Sequence, residues 1–226
     1  MAAAKSGGAP GRVRTAVLIS GRGSNLAALI ATCARPDTPA EIVLVLSNRP
    51  NAAGLRYAAG AGIATLVIDH QRFAAREDFD RAMSAALEAA KVELVCLAGF
   101  MRLLSPWFTE RWRDRLLNIH PSLLPAFPGL DTHHRALEAG VRFSGCTVHF
   151  VRAALDTGPI VVQGVVPVEP DDTPATLADR VLLAEHRCYP LALELVASGR
   201  ARIEGERVLI DGARVPEAMV INPESA

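Results

Sequence analysis

The feature that most restricts the fold of this chain is a repeated pairing of short apolar runs with amphipathic stretches. Residues 13–20 (V-R-T-A-V-L-I-S) close on an apolar run, Gly21-Arg22-Gly23-Ser24-Asn25 follows at once, and Leu26, Leu29 and Ile30 then recur at helical spacing. The same alternation predicts a strand over 41–47, a helix over 52–60 closed by glycine, and a strand over 64–68. A helix over 76–90 follows, with Phe79, Met83, Leu87 and Ala90 on one stripe, then a strand over 92–98, a short helix from Pro106 to about Asp114, and a strand at 116–120. Strand–helix alternation of this kind predicts an α/β fold, a largely parallel twisted sheet with helices on both faces.

Further on, 132–139 is expected to be a short helix, and 145–151 and 160–168 two strands joined through a Gly-Pro loop. That spacing predicts a hairpin or meander, an antiparallel portion toward the C-terminus. Thr173 is a helix cap with Pro174 at the first helical position, which proline tolerates. The stripe Leu177, Val181, Ala184, Cys188 places Glu185 on the border of the buried face. Two short strands are expected around Gly205. No repeat or linker divides the chain, so 13–226 is expected to be one domain behind a disordered leader, 1–12.

Composition removes several classes of function. The 226 residues are half hydrophobic, and 24 basic residues balance 24 acidic ones. A formal net charge of zero argues against a general nucleic-acid or anionic-membrane binder. No run approaches the roughly 18–20 apolar residues that span a bilayer, and the opening residues lack a signal-type apolar region. Cys33, Cys96, Cys146 and Cys188 are scattered without a C-x-x-C pair, so buried free thiols in a reducing, cytoplasmic setting are expected.

The glycine loop opens a helix directly after a strand, which directs backbone N–H groups at a phosphate-sized anion. Ser24 or Asn25 is expected to cap the helix. The loop lacks the lysine of a nucleoside-triphosphate loop, and Leu26 stands where a dinucleotide fingerprint has its third glycine. The second strand ends in Ser47-Asn48 without an acidic residue for a ribose. One phosphomonoester is therefore the expected ligand, with a simple tight turn as the alternative.

In Leu116-Leu117-Asn118-Ile119-His120-Pro121, alternation sends Asn118 and His120 to one side of a strand and Leu117 and Ile119 to the other. Pro121 favours an extended backbone at His120. An amide and an imidazole thus emerge at a strand's carboxyl end, where open α/β sheets build their sites. With Asp156 as a carboxylate partner, which favours the protonated imidazole, the set can stabilise an oxyanion while an acyl-level carbon passes to an amine. No covalent nucleophile is needed, and Ser122 is not expected to be one. Asp156-Thr157-Gly158 spells the aspartic-protease triplet, but no second copy occurs. His133 and His134 follow Asp131 without a recognised metal spacing. His149 reads equally as a core or a catalytic histidine, and His70 and His186 as surface or supporting residues.

Taken together, I-S-G-R-G-S-N (19–25), L-A-G-F-M-R-L-L-S-P (97–106), L-N-I-H-P-S-L-L-P (117–125), P-G-L (128–130), T-V-H-F-V (147–151), L-D-T-G-P (155–159) and E-H-R-C-Y-P (185–190) resemble the folate-dependent glycinamide ribonucleotide formyltransferases of purine synthesis. The resemblance implies transfer of the formyl group of 10-formyltetrahydrofolate to the amine of 5-phosphoribosylglycinamide, without a metal. It implies that Gly23, Ser24 and Asn25 hold the substrate phosphate, and that Glu185 holds the ribose or amine end. Arg76, Met101, Arg102, Leu103, Leu104 and the loop Arg152, Ala153, Ala154, Leu155, Asp156 would line the folate cleft, with Asn118 near the formyl group. His120 would act as general acid or oxyanion stabiliser, and Asp156 would set its protonation and help move the amine proton. The chain departs from the family pattern at Asp131, where histidine commonly follows P-G-L, and in its leader.

Small-molecule substrates, no nucleic acid, no membrane and a monomer or homodimer are the corresponding expectations. Other functions compete. A formyltetrahydrofolate hydrolase would share Asn118, His120 and Asp156 but normally carries an N-terminal regulatory domain, for which the dozen leading residues leave no room. A methionyl-tRNA formyltransferase is disfavoured likewise, for want of a C-terminal RNA-binding domain. A non-catalytic phosphate- or folate-binding module is the alternative from outside enzymology.

Overall fold

The strands are β1 (Val13–Ile19), β2 (Ala40–Ser47), β3 (Thr65–Val67), β4 (Leu94–Leu97), β5 (Leu116–His120), β6 (Phe143–Phe150) and β7 (Ile160–Pro167). In the computed structural model, which describes residues 11–214 and 216–223, they form one sheet in the order β3-β2-β1-β4-β5-β6-β7. The first five are parallel; β6 runs antiparallel to β5, and β7 antiparallel to β6. The helices are α1 (Ser24–Cys33), α2 (Leu55–Gly60), α3 (Arg76–Ala89), α4 (Pro106–Arg111), α5 (Thr132–Glu138) and α6 (Pro174–Ala197). A separate hairpin of β8 (Ala201–Glu204) and β9 (Arg207–Ile210) follows. The expected α/β architecture is observed, antiparallel portion included.

Alternation along each strand splits the core in two. Val17, Ile19, Leu117, Ile119, Cys146 and Val148 face α1 and α6, where Leu26, Leu29, Leu177, Val181 and Tyr189 pack on them. Ala16, Leu18, Val95 and Leu116 face α3 and α4, meeting Phe79, Met83, Leu87, Phe108 and Trp112. The stripe read from the sequence of α3 is therefore its buried face. Burial of its large side chains contributes about 1.5–3 kcal/mol each. Polar contacts tie α3 to α4: Asp80 Oδ2 accepts from Ser105 N (2.6 Å), and Trp112 Nε1 donates to Ser84 Oγ (3.1 Å). All four cysteines are buried and unpaired with one another.

Several boundaries differ from expectation. The second helix starts at Leu55, because residues 52–54 turn to bring Gly54 N onto Gly21 O (3.0 Å). Neither Ser24 nor Asn25 caps α1; the cap is Gly23 in the left-handed region (φ 81°), without a side-chain bond. Residues 1–10 of the expected leader lie outside the described residues, whereas Arg12 is anchored, its Nε donating to Thr38 O (3.0 Å). The Thr173 cap and Pro174 start of α6 stand as expected, and Thr176 completes a capping box.

One buried hydroxyl pins α6 to the centre of the sheet. Tyr189 Oη lies 3.0 Å from Leu97 O on β4 and 3.2 Å from Leu117 O on β5, and the ring is fully buried. Burial also pushes the phenol well above its usual ionisation range, so it remains a donor. Tyr189→Phe is expected to cost about 1–2 kcal/mol, read as a lower urea midpoint at unchanged slope. An unaltered midpoint would show that the two carbonyls do not depend on this donor.

Candidate active site

The reversal of connection direction between β1 and β4 puts a crevice at their carboxyl ends, the usual location of sites in such sheets. The two ends are bonded together: Ser20 N donates to Gly99 O (3.2 Å), and Met101 N to Ser20 Oγ (2.8 Å). The loop after β1 turns sharply into α1. A Cβ on Gly23 would lie 2.5 Å from Gly54 Cα, so two glycines permit this approach of loop to loop. The first intrahelical bond of α1 is Ala27 N to Gly23 O (2.9 Å), which leaves the preceding N–H groups of the helix directed outward. Beside this loop a cavity of about 750 Å³ opens toward Arg22, Arg49 and His70. The His120 imidazole at the end of β5 does not line it.

Asn25 turns inward instead of toward the loop. Its Nδ2 donates to Glu185 Oε2 at 2.7 Å, joining the start of α1 to the middle of α6. Both residues are buried, Glu185 more deeply than the border position that the helical stripe predicts. Asn25 Oδ1 is buried without a partner among the described residues. Burial raises the Glu185 carboxyl above its usual value, and the Asn25 amide only partly opposes this.

At the other centre, Asn118, His120 and Asp156 come together as expected, with His149 as a fourth member. Asp156 Oδ2 lies 3.4 Å from His120 Nδ1 and accepts from Gly129 N at 2.9 Å; its Oδ1 lies 3.8 Å from His149 Nε2. His120 Nε2 donates to Phe127 O (3.0 Å), while its Nδ1 faces the Asp156 carboxylate. His120 is 5% exposed, more buried than its strand-end position suggests, because the loop carrying Phe127 folds over it.

His149 stands directly opposite Asn118 in the β5–β6 register. Its Nδ1 donates to Phe150 O (2.9 Å), which leaves Nε2 to accept from Asn118 Nδ2 (3.3 Å). Burial pushes this imidazole down, more than Phe150 and Asp156 push it up, so it is held neutral. A neutral acceptor there orients the Asn118 amide through one of its two N–H groups. The sequence left His149 undecided, since only the antiparallel register brings it to Asn118. Gly129 N and Phe127 O carried no side-chain signal at all.

The remaining candidates are distributed as follows. Arg76 and Arg102 both lie near the Asp80 carboxylate, which burial raises and these cations, with Ser105, draw back. Met101 and Leu103 are exposed on the loop after β4, while Leu104 packs on the α3–α4 side. Ala153, Ala154 and Leu155 are exposed between β6 and β7. Arg152 does not present its guanidinium with them: it pairs with Asp114 and Glu206. His133 is half-buried near His120, and burial and that neighbour lower it, whereas His134 points away to Glu138 (3.3 Å). Among the described residues no cluster of metal-ligating side chains forms and no helix is long and apolar enough to cross a membrane.

Comparison with known proteins places this geometry in context. Residues 13–193 match the formyl transferase family. The chain is 44% identical over 200 residues to the phosphoribosylglycinamide formyltransferase of Escherichia coli K12, covering 88% of this chain and 94% of that one. It is 54% identical over 192 residues to the trifunctional purine biosynthetic protein adenosine-3 of Gallus gallus, covering 85% of this chain but 19% of that protein. The chain thus spans about a fifth of the length of that relative. The glycinamide ribonucleotide transformylase 1 structure from Symbiobacterium toebii superposes with a TM-score of 0.86 at 48% identity, over 88% of this chain and 94% of that one.

The raised carboxyl of Glu185 makes a testable link between pH and stability. Folding favours its protonated form, so its contribution is complete below the usual value of 4.5 and is lost as pH rises through the folded value. Glu185→Gln keeps an acceptor for Asn25 and removes this loss. The urea midpoint of the variant relative to the parent is expected to climb between about pH 4 and about pH 8. A difference that stays flat with pH would mean the carboxyl ionises as freely folded as unfolded.

Proposed function

The chain belongs to the formyl transferase family, among the phosphoribosylglycinamide formyltransferases, and from that membership we propose that it transfers a formyl group from 10-formyltetrahydrofolate to the amine of 5-phosphoribosylglycinamide. The observation that carries the reading is the clustering of Asn118, His120, His149 and Asp156 at the ends of β5 and β6. In this reading the α1 N-terminus, at Gly23, Ser24 and Asn25, receives the substrate phosphate. Asn25 Oδ1 and Glu185 meet the donors of its ribose or amine end. The donor lies along Arg76, Met101, Arg102, Leu103, Leu104 and the 152–156 loop, where Met101, Leu103 and Leu155 leave large apolar surfaces uncovered for a planar ring system.

The chemistry needs no covalent enzyme intermediate. The substrate amine attacks the formyl carbon, a C–N bond forms, and the carbonyl π pair moves onto oxygen. Asn118 donates its free amide N–H to that oxygen, and His120 turns its Nε2–H from Phe127 O to the same atom. The amine loses a proton toward the Asp156–His120 pair. Collapse breaks the bond from carbon to the folate nitrogen, which takes up a proton and leaves as tetrahydrofolate.

The test is tetrahydrofolate release with and without 5-phosphoribosylglycinamide. Release that requires the ribonucleotide is the expected result. Equal release without it favours a formyltetrahydrofolate hydrolase, and none in a folded, folate-binding sample favours a binding module. Because His120 is buried, His120→Gln is a cleaner probe than truncation to alanine. It is expected to lower kcat about 10²–10⁴-fold while the thermal midpoint changes little. Near-normal turnover in that variant would remove His120 from its assigned role.

A further inference from the structure

The loop 151–159, which carries Asp156, is closed at its base. Phe150 N donates to Pro159 O (2.9 Å), and Val151 N to Leu116 O (2.8 Å). Gly158 packs against the Phe150 carbonyl and the Arg152 stem, leaving no room for a side chain. Arg152 sits in this neck with a side chain only 10% exposed. Its Nη2 lies 2.9 Å from Asp114 Oδ1, its Nε donates to Glu206 Oε2 (3.0 Å), and its Nη1 to Val151 O (3.3 Å). The other oxygen of Glu206 accepts from Arg113 Nη2 (3.1 Å).

Three separate segments therefore converge on one guanidinium. Arg113 and Asp114 precede β5, the strand of Asn118 and His120. Arg152 begins the loop that ends at Asp156. Glu206 is at the turn of the β8–β9 hairpin, beyond the residues that match the family. Between Arg152 and Asp156, the described contacts that restrain the loop are few. Thr157 Oγ1 donates to Ala154 O (3.1 Å), while Ala153, Ala154 and Leu155 are exposed. An exposed ion pair contributes little, but a nearly buried guanidinium deprived of its carboxylates is costly to leave in place. Its position thus governs where the loop begins.

We propose that Arg152 is a positioning residue. By bridging Asp114 and Glu206 it fixes the neck of loop 151–159, holds Asp156 over Asn118, His120 and His149, and makes the C-terminal hairpin a support of the folate side of the site. The kinetic part of this proposal rests on the formyltransferase reading above; the clamp itself does not. Holding Asp156 within reach of His120 is a matter of ångströms, so a loosened neck acts on donor binding and turnover together.

The test uses the full chain and the variants Arg152→Met, Arg152→Lys, Glu206→Gln and the double Arg152→Met/Glu206→Gln. Arg152→Met is expected to raise KM for 10-formyltetrahydrofolate about ten-fold and to lower kcat several-fold, with KM for 5-phosphoribosylglycinamide within about two-fold of the parent. Arg152→Lys is expected to recover part of the donor KM. Glu206→Gln shifts it in the same direction by less, and the double variant is expected to match Arg152→Met within about two-fold. A donor KM unchanged in Arg152→Met, or full multiplication of the two single effects, would overturn the proposal. Amide hydrogen exchange over 152–158 separates it from the functional reading. Faster exchange in Arg152→Met is expected, and unchanged exchange refutes the clamp whether or not the chain transfers formyl groups. Faster exchange in a chain with no transfer would leave the clamp standing and remove the function.

Discussion

The Asp156 carboxylate is the interaction on which the rest of the site depends. One oxygen takes the Gly129 N–H and faces His120, and the other faces His149, so one side chain joins the loops 121–131 and 151–159 to the ends of β5 and β6. Asp156 itself is in the left-handed region (φ 54°), a conformation that aspartate tolerates better than most residues. The carboxylate, with a side chain 6% exposed, has little water to satisfy it. Its neighbours must therefore remain in place, or a buried charge is left with too few partners.

Asn118, His120 and His149 lie on the α3–α4 side of the sheet, whereas Asn25 and Glu185 lie between α1 and α6 on the other. The pair Asn25–Glu185 resists separation because each would leave the other buried and unpaired. The glycine pair Gly23–Gly54 sets how near the loop after β1 comes to the turn after β2, a spacing that no other residue permits without moving backbone.

The two histidines at the strand ends have different surroundings. His149 is sealed in the sheet, gives its one N–H to a carbonyl and is kept neutral, so it can only accept from Asn118. His120 has a carbonyl on one side and a carboxylate on the other, both acceptors. Neighbouring strands thus present one fixed acceptor and one donor from the same residue type, and the amide between them takes its orientation from the first.

By itself the sequence determined the alternation that makes a mostly parallel sheet, the stripes buried by α3 and α6, and the glycine loop before α1. It also determined the outward alternation of Asn118 and His120, because side-chain direction follows from strand periodicity alone. Capping by Ser24 or Asn25 was a reasonable local expectation, but Glu185, distant in sequence, holds the Asn25 amide and Gly23 takes the cap. Arg152 lay in a segment expected to line a cleft, yet Asp114 and Glu206 draw its charge to the neck of the loop. His149 could be placed beside Asn118 only by the antiparallel register of β5 and β6, and Gly129 and Phe127 act through backbone groups that every residue carries. Local pattern fixes what depends on near neighbours; pairing register, buried ion partners and backbone donors depend on contacts between distant segments, and tertiary structure alone decided them.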